Sequence, residues 1–170
     1  MTLDQLNHLP VQRAWAAFER CCGASAWVEQ MCGARPYPDR NALLVAAELA
    51  AEPLTGEDWL EAFAHHPRIG DAAALRERFA ATAAWAGDEQ RAAAAATEQT
   101  LEALAAGNRE YEQKFGYIFI VCATGKSADD LLGLLRQRMR HDAGIELAVA
   151  ATEQRKITRL RLEKLLAESV

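Results

Sequence analysis

The sequence predicts an all-helical protein, a single domain over residues 1–170 with about eight or nine helices, read from its periodicity and punctuation. Alanine is abundant and β-branched residues are few, which favours helix because alanine loses no side-chain entropy on entering one. Glycines and prolines recur at helix-length intervals, and most segments between them carry apolar residues at helical spacing. A chain of this length can bury roughly two-thirds of its unfolded surface, enough for a core without disulfides or a metal.

Capping residues and prolines set the helices of the first half of the chain. Asp39 is a suitable N-cap, and Thr55 caps with Asp58 as a capping-box partner three residues later. A helix is expected to end at Pro67, because the residue before a proline resists the helical conformation. In order, the predicted helices run from Thr2 to before Pro10, from near Pro10 to Gly23, from Ser25 to Met31, from Arg40 to about Ala51, and from Thr55 to Pro67.

The second half follows the same logic. Gly107 and Asn108 are expected to end a long helix, and Ser127 caps another with Asp130 as its acidic partner. The predicted helices run from Ala72 to about Trp85, from about Glu89 to Ala106, from there to Phe115 as a short helix, from Ser127 to near His141, and from Gly144 onward as a long last helix.

One segment does not fit a helical pattern. Residues 117–123 (YIFIVCA) form an apolar run between glycines that resembles a buried strand. No second convincing strand exists to pair with it, and an unpaired buried backbone is costly. We therefore expect a buried extended or loosely helical segment packed among helices.

Composition narrows the function. The net charge is −5 without a basic stripe, which argues against nucleic-acid partners. The first residues, MTLDQLNHLP, do not resemble a signal peptide, and no apolar run is long enough for a membrane span. We expect a cytoplasmic protein with no membrane partner. The four cysteines lack metal-ligand spacing and are expected to be free thiols, with no metal site.

The segment 65–71 (HHPRIGD) is the densest in chemical groups. It places imidazole, guanidinium and carboxylate groups at a proline-terminated helix end, and loops held in this way often carry function. Histidine titrates near neutrality, so His65 or His66 could move protons at working pH. The simpler interpretation, a histidine at the helix C-terminus beside a surface turn, is equally compatible with the local pattern.

Two further candidates are weaker alone. Glu89 and Gln90 lie at a predicted helix start, where the helix dipole stabilises a carboxylate. The amide of Gln90 has a donor and an acceptor that suit an imide or urea group. The alternative is that Glu89 only complements the positive end of the helix dipole. Arg161 lies on the last helix, where burial would require an anion such as a substrate carboxylate. An exposed basic helix end is the alternative.

Together these residues resemble the 2-oxo-4-hydroxy-4-carboxy-5-ureidoimidazoline (OHCU) decarboxylase family. The resemblance follows the chain in order over nearly its whole length. Its elements are HPRIGD at residues 66–71, EQ at 89–90, FGYIFIVCATGKS at 115–127, and E-x-x-x-I-x-x-x-R-L at 153–162.

The resemblance implies an all-helical enzyme that converts OHCU to S-allantoin in urate catabolism, without a cofactor and as a homodimer. It implies His66 as the catalytic acid–base residue. The chain departs from the family at Ala86, where a serine is common. The full implied site comprises His66 and Glu89 as catalytic residues, and Pro67, Gln90, Arg161 and the backbone of Phe119, Ile120 and Val121 as substrate-binding residues.

Two other functions remain open from the residues themselves. A metal-assisted hydrolase of a ureide or cyclic amide could use His65 and His66, although no HExxH pattern accompanies them. A non-catalytic helical interaction module would make the HPRIG loop purely structural. Sensitivity to chelators and binding of allantoin distinguish the three readings.

Overall fold

The computed structural model describes residues 1–66, residue 75 and residues 90–167, with the backbone alone for residues 90–97. The described residues form eight helices and no strand, so the all-helical prediction is confirmed for them. No described helix is both long and apolar enough to cross a membrane. The helices are α1 (Leu3–His8), α2 (Val11–Glu19), α3 (Ser25–Gly33), α4 (Arg40–Ala51), α5 (Gly56–Ala64), α6 (Gln90–Phe115), α7 (Ala128–Arg138) and α8 (Ala143–Ala167).

The predicted N-caps are confirmed. The Asp39 side chain accepts a hydrogen bond from the backbone N–H of Ala42, 2.8 Å away. Complete capping boxes, in which cap and partner side chains each accept the other's backbone N–H, begin α1, α5 and α7. Their residue pairs are Thr2 with Gln5, Thr55 with Asp58, and Ser127 with Asp130.

The predicted break at Gly107 and Asn108 is wrong, because α6 continues through both residues to Phe115. A Cβ atom on Gly107 would lie 2.5 Å from Cδ2 of Leu135 in α7. The glycine therefore allows α6 and α7 to pack closely, and it does not terminate the helix. In the sequence, a glycine that ends a helix looks the same as a glycine that allows two helices to pack closely.

Other boundaries differ in detail. Helix α2 ends at Glu19, before the predicted end at Gly23. The predicted helix from Ala72 to Trp85 lies outside the described residues, apart from Leu75, which is helical and buried. All four cysteines are free thiols.

The chain divides into two compact units, residues 1–66 with 147–170, and residues 67–146. The single-domain expectation stays a prediction. In the first unit, the ring of Phe18 makes edge contacts with Trp27 and Tyr37, and the Trp27 indole N–H donates to the Ala47 carbonyl at 3.0 Å. This aromatic core ties α2, α3 and α4 together.

The second unit contains a separate apolar cluster between α6 and α7. Residues 117–123 are neither helix nor strand, as expected for an apolar run without a pairing partner. The side chains of Phe119 and Val121 pack against the cluster, and Ile120 is buried. The buried members of the cluster are Leu75, Leu101, Leu104, Ala105, Ala128, Leu131, Leu132 and Leu135.

A buried charge network supports the segment 117–123. Nη1 of Arg138 donates to the Ile120 carbonyl at 2.7 Å, and its Nη2 lies 2.6 Å from a carboxylate oxygen of Glu146, which is fully buried. Glu146 also accepts from the Tyr111 hydroxyl and contacts Nδ1 of His141 at 2.7 Å. Arg138 thus supplies a hydrogen-bond donor for one carbonyl of this segment.

Candidate active site

The C-terminal end of α5 is held in place by two contacts within the first unit. The Glu61 carboxylate accepts hydrogen bonds from the backbone N–H and the hydroxyl of Ser25, at 3.0 and 2.5 Å. The His65 ring lies against Gly23, since a Cβ atom there would be 2.3 Å from its Cγ. These contacts fix the point from which His66 projects.

The imidazole of His66 lies between two residues of α8. Its Nε2 is 2.6 Å from Oε1 of Gln154, and its Nδ1 is 3.5 Å from Nη2 of Arg161. The side chain is half-buried, as is that of Arg161. The structure therefore brings together two of the residues that the sequence nominated separately, His66 and Arg161.

The two partners of His66, Gln154 and Arg161, belong to one stripe along α8 that also includes Thr158. Gln154, Thr158 and Arg161 are four and three residues apart, so they share a helix face. Gln154 is fully buried, and its Nε2 donates to Oγ1 of Thr158 at 3.2 Å. Thr158 is itself buried and hydrogen-bonds with the Cys22 thiol. Consecutive hydrogen bonds thus join His66 to Gln154 and Gln154 to Thr158.

The hydrogen bonds determine where the proton of neutral His66 sits. A guanidinium has donors and no acceptor, so the nitrogen that faces Arg161, Nδ1, presents a lone pair. Nε2 then carries the proton and donates to the Gln154 carbonyl oxygen, whose amide nitrogen is already used on Thr158.

The electrostatic surroundings keep His66 neutral. Burial is the largest cause that lowers its pKa, followed by the positive charge of Arg161, with a smaller effect in the same direction from His65. The hydrogen bond to Gln154 acts in the opposite direction. A neutral imidazole at physiological pH, with a bare nitrogen beside a guanidinium, is suited to accept a proton.

Arg161 has the chemistry of an anion-binding residue. Nη1 donates to the backbone carbonyls of Arg20 and Cys21, at 3.3 and 3.4 Å, after the end of α2. Its partners among the described residues are all neutral, so its charge is not compensated by a carboxylate there. A planar guanidinium in this state can pair with a carboxylate of a ligand.

The site roles of the remaining nominated residues stay predictions. Pro67 and Glu89 lie outside the described residues, as do Arg68 and Ala86. Gln90 begins α6, and its side chain is not described.

The backbone segment nominated for substrate binding belongs to the second unit. Within it, the Ile120 carbonyl accepts the hydrogen bond from Arg138, and the side chains of Phe119 and Val121 pack on the apolar cluster. Within residues 1–66, 75 and 90–167, no three His, Cys, Asp or Glu side chains are grouped to hold a metal.

Sequence reasoning missed Gln154 and Thr158. The family motif on α8 contains Glu153, Ile157 and Arg161, which are four residues apart. It does not include Gln154 or Thr158. Gln154 precedes Arg161 by seven residues, which is close to two full turns, so helical geometry could have paired them. Nothing in the sequence places either residue beside His66, since that contact joins two distant helices.

Comparison with known proteins points to one family. The sequence profile of the family described as OHCU decarboxylase matches residues 7–163. The uric acid degradation bifunctional protein TTL of Arabidopsis thaliana is 35% identical over 150 residues, which are 87% of this chain and 46% of that protein. The 2-oxo-4-hydroxy-4-carboxy-5-ureidoimidazoline decarboxylase of Haloferax volcanii is 26% identical over 95% of this chain and 94% of its own length. The chain thus spans less than half of the Arabidopsis protein and nearly all of the Haloferax protein.

Solved structures give the same family. A crystal structure of OHCU decarboxylase in the presence of (S)-allantoin superposes with a TM-score of 0.67 at 34% identity, covering 89% of this chain and 97% of that one. A crystal structure of (S)-allantoin synthase, at 17% identity and a TM-score of 0.67, shares the fold. With the family profile matched over residues 7–163 and a 35% identical relative, this chain belongs to the OHCU decarboxylase family.

Proposed function

We propose that this protein catalyses the decarboxylation of OHCU to S-allantoin in urate breakdown, with His66 as the residue that moves protons. The observation that carries the proposal is the contact between Nδ1 of His66 and the guanidinium of Arg161 at 3.5 Å. It places a proton acceptor next to a carboxylate-binding group, and decarboxylation of an α-hydroxy acid needs both.

The reaction can be balanced without an added electron sink. The bond between the ring carbon and the carboxylate breaks, and CO2 leaves. The electron pair left behind forms a C=C bond to the neighbouring ring carbon, which is double-bonded to a ring nitrogen in the substrate. The electrons of that C=N bond move to the nitrogen, which takes up a proton. The hydroxyl then loses its proton to become a carbonyl, while the neighbouring carbon gains one. One proton is taken up overall.

The residues divide this work. Arg161 holds the carboxylate or a nearby oxygen and directs the ring toward α5. His66 accepts the hydroxyl proton at Nδ1 and returns a proton to one face of the new C=C bond, which would set the S configuration. In this proposal Glu89 assists His66, and the backbone of Phe119, Ile120 and Val121 together with Pro67 and Gln90 surrounds the ring.

Three further properties accompany the proposal. The substrate's own C=N bond accepts the electrons, which supports a cofactor-free reaction. A homodimer and a cytoplasmic location are proposed from membership of the family, and static light scattering and cell fractionation test them.

The test couples the purified protein to urate oxidase and hydroxyisourate hydrolase and follows the optical activity of allantoin. Rapid formation of the S enantiomer is expected, and racemic product at the uncatalysed rate contradicts the proposal. His66→Asn should lose about a hundredfold or more of the rate if one group performs the proton transfers. His8→Asn, at an exposed histidine of α1 that does not contact His66, serves as the control and should retain most of it. Chelator treatment should leave the rate unchanged; loss of activity would favour the metal-assisted hydrolase.

A further inference from the structure

Gln154 is a polar side chain without any exposed surface, and the proposed reaction has not yet given it a role. Burying an amide is unfavourable unless its donors and acceptor are used. Here Oε1 faces Nε2 of His66 at 2.6 Å, and Nε2 of the amide donates to Thr158 at 3.2 Å. Both ends of the amide are therefore engaged, one by the imidazole and one by its own helix.

The orientation of this amide matters because imidazole has two tautomers. Rotating the amide by half a turn would place its NH2 group against Nε2 of His66 and would require Nδ1 to carry the proton. That proton would then face Nη2 of Arg161, a second donor, at 3.5 Å. The arrangement with Nε2–H and a bare Nδ1 avoids this conflict at both nitrogens.

We propose that Gln154 is a positioning residue, which accepts the Nε2 proton of His66 and so leaves Nδ1 as the nitrogen that exchanges a proton with the substrate. Thr158 holds the amide in this orientation. The inference rests on the proposed function where it involves a substrate, whereas the tautomer of His66 is a property of the protein alone.

The other groups around His66 are compatible with this role. Arg161 on α8 and His65, which directly follows α5, both disfavour the imidazolium. The neighbouring thiols of Cys21 and Cys22 have pKa values raised by burial, to about 12 for Cys21, and remain neutral. Glu61 is committed to Ser25. Among the described groups, the Gln154 carbonyl oxygen is thus the acceptor for the Nε2 proton, and Arg161 favours the same tautomer from Nδ1.

The first test requires no substrate. Long-range 1H–15N correlation spectra of the imidazole rings at pH 8 distinguish the protonated from the bare nitrogen, and the His66 signals are assigned by their loss in His66→Asn. The wild-type protein should carry its proton on Nε2. Gln154→Met should give a mixture of tautomers, and a predominant Nδ1–H form in the wild type would overturn the inference.

The second test uses pH profiles of kcat/KM. Gln154→Glu keeps an acceptor and adds a negative charge, so the acidic limb should move to higher pH. Gln154→Met removes a hydrogen bond that favours the imidazolium, so the limb should move to lower pH, with kcat reduced by about tenfold or more and KM little changed. Gln137→Glu, an exposed glutamine on α7, is the control for added charge and should shift nothing. Shifts in the same direction, or none, contradict the positioning role.

A second pair of variants protects the test against a folding defect at position 154. Thr158→Val removes the hydroxyl that receives the amide N–H, whereas Thr158→Ser retains it. Valine should give mixed tautomers and a lower kcat, and serine should restore both. If the wild type carries the Nε2 proton but does not decarboxylate OHCU, the proposed function fails and the assignment of the tautomer stands; if it turns over OHCU with the proton on Nδ1, the positioning role fails alone.

Discussion

The backbone of Gly23 lies directly against the ring of His65: a Cβ atom built on Gly23 would be 2.3 Å from Cγ and 2.6 Å from Cβ of that histidine. These atoms are close to the His65 backbone and cannot swing away as the end of a long side chain could. The contact sets how closely the turn after α2 approaches the end of α5, and hence where His66 begins.

Gly23→Ala should therefore displace His65 and the adjacent His66. We expect a loss of about 1–3 kcal/mol in the free energy of unfolding, the usual cost of overpacking, together with a reduced kcat. Urea unfolding and the coupled allantoin assay measure the two effects.

Gly33→Ala is the control, because a Cβ atom there meets nothing within 4 Å and the residue ends α3. It should leave activity unchanged and be neutral or stabilising. If both substitutions behave alike, the contact between Gly23 and His65 has no special role.

Arg161→Lys and Arg161→Met separate the charge of Arg161 from its geometry. Lysine keeps the charge and loses the planar fork, so KM should rise about tenfold or more, the value of a charge-assisted hydrogen bond, while the acidic limb stays near that of the wild type. Methionine also removes the charge that lowers the His66 pKa, so the limb should move to higher pH. Arg159→Met, at an exposed position on the same helix, should change neither. An unchanged KM in Arg161→Met would remove Arg161 from substrate binding.

Glu146→Gln tests the support of the segment 117–123. It leaves the Arg138 guanidinium buried without its counter-charge, which should cost about 3–5 kcal/mol of unfolding free energy. Glu48→Gln, which breaks the exposed pair with Arg155, should cost at most about 1 kcal/mol. Equal losses of unfolding free energy in the two variants would show that the buried Arg138–Glu146 pair stabilises the fold no more than an exposed pair does. Hydrogen exchange at Ile120 should also accelerate in Glu146→Gln.

The lowered pKa of His66 predicts how stability depends on pH. Between its folded value and the ordinary value of about 6.5, the unfolded chain binds more protons than the folded one, so unfolding becomes easier as pH falls through this interval. The midpoint of thermal unfolding should decline on acidification in the wild type and decline less in His66→Asn. Identical profiles would mean that His66 is not buried as a neutral group.

The parts of the fold set by local interactions could be predicted from the sequence. Side chains that cap helices act on backbone groups three residues away, so Asp39, Thr55 and Ser127 were identified correctly. Gly107 was misread because the glycine signal is identical for a helix end and for a close packing contact, and only Leu135 distinguishes them.

The candidate site was predictable to the same extent. His66 and Arg161 could be nominated one at a time from chemistry and from resemblance, but their contact depends on the packing of α5 against α8. Gln154 was not nominated, because an amide within a helix ordinarily faces solvent and its burial is decided by tertiary structure. The roles of Pro67, Glu89, Gln90, Phe119, Ile120 and Val121 remain predictions.

The polar stripe of α8 has a consequence for how this site can vary through evolution. Gln154, Thr158 and Arg161 are held at fixed separations by the rise of one continuous helix, about 1.5 Å per residue. Insertion or deletion of a single residue between them would rotate part of the set by about 100° and break its alignment with the imidazole. Insertions and deletions should therefore be selected against in this interval, while side chains on the opposite face of the helix can vary. The spacing of these three residues, more than overall similarity, is then the feature by which distant genes with the same chemistry can be found.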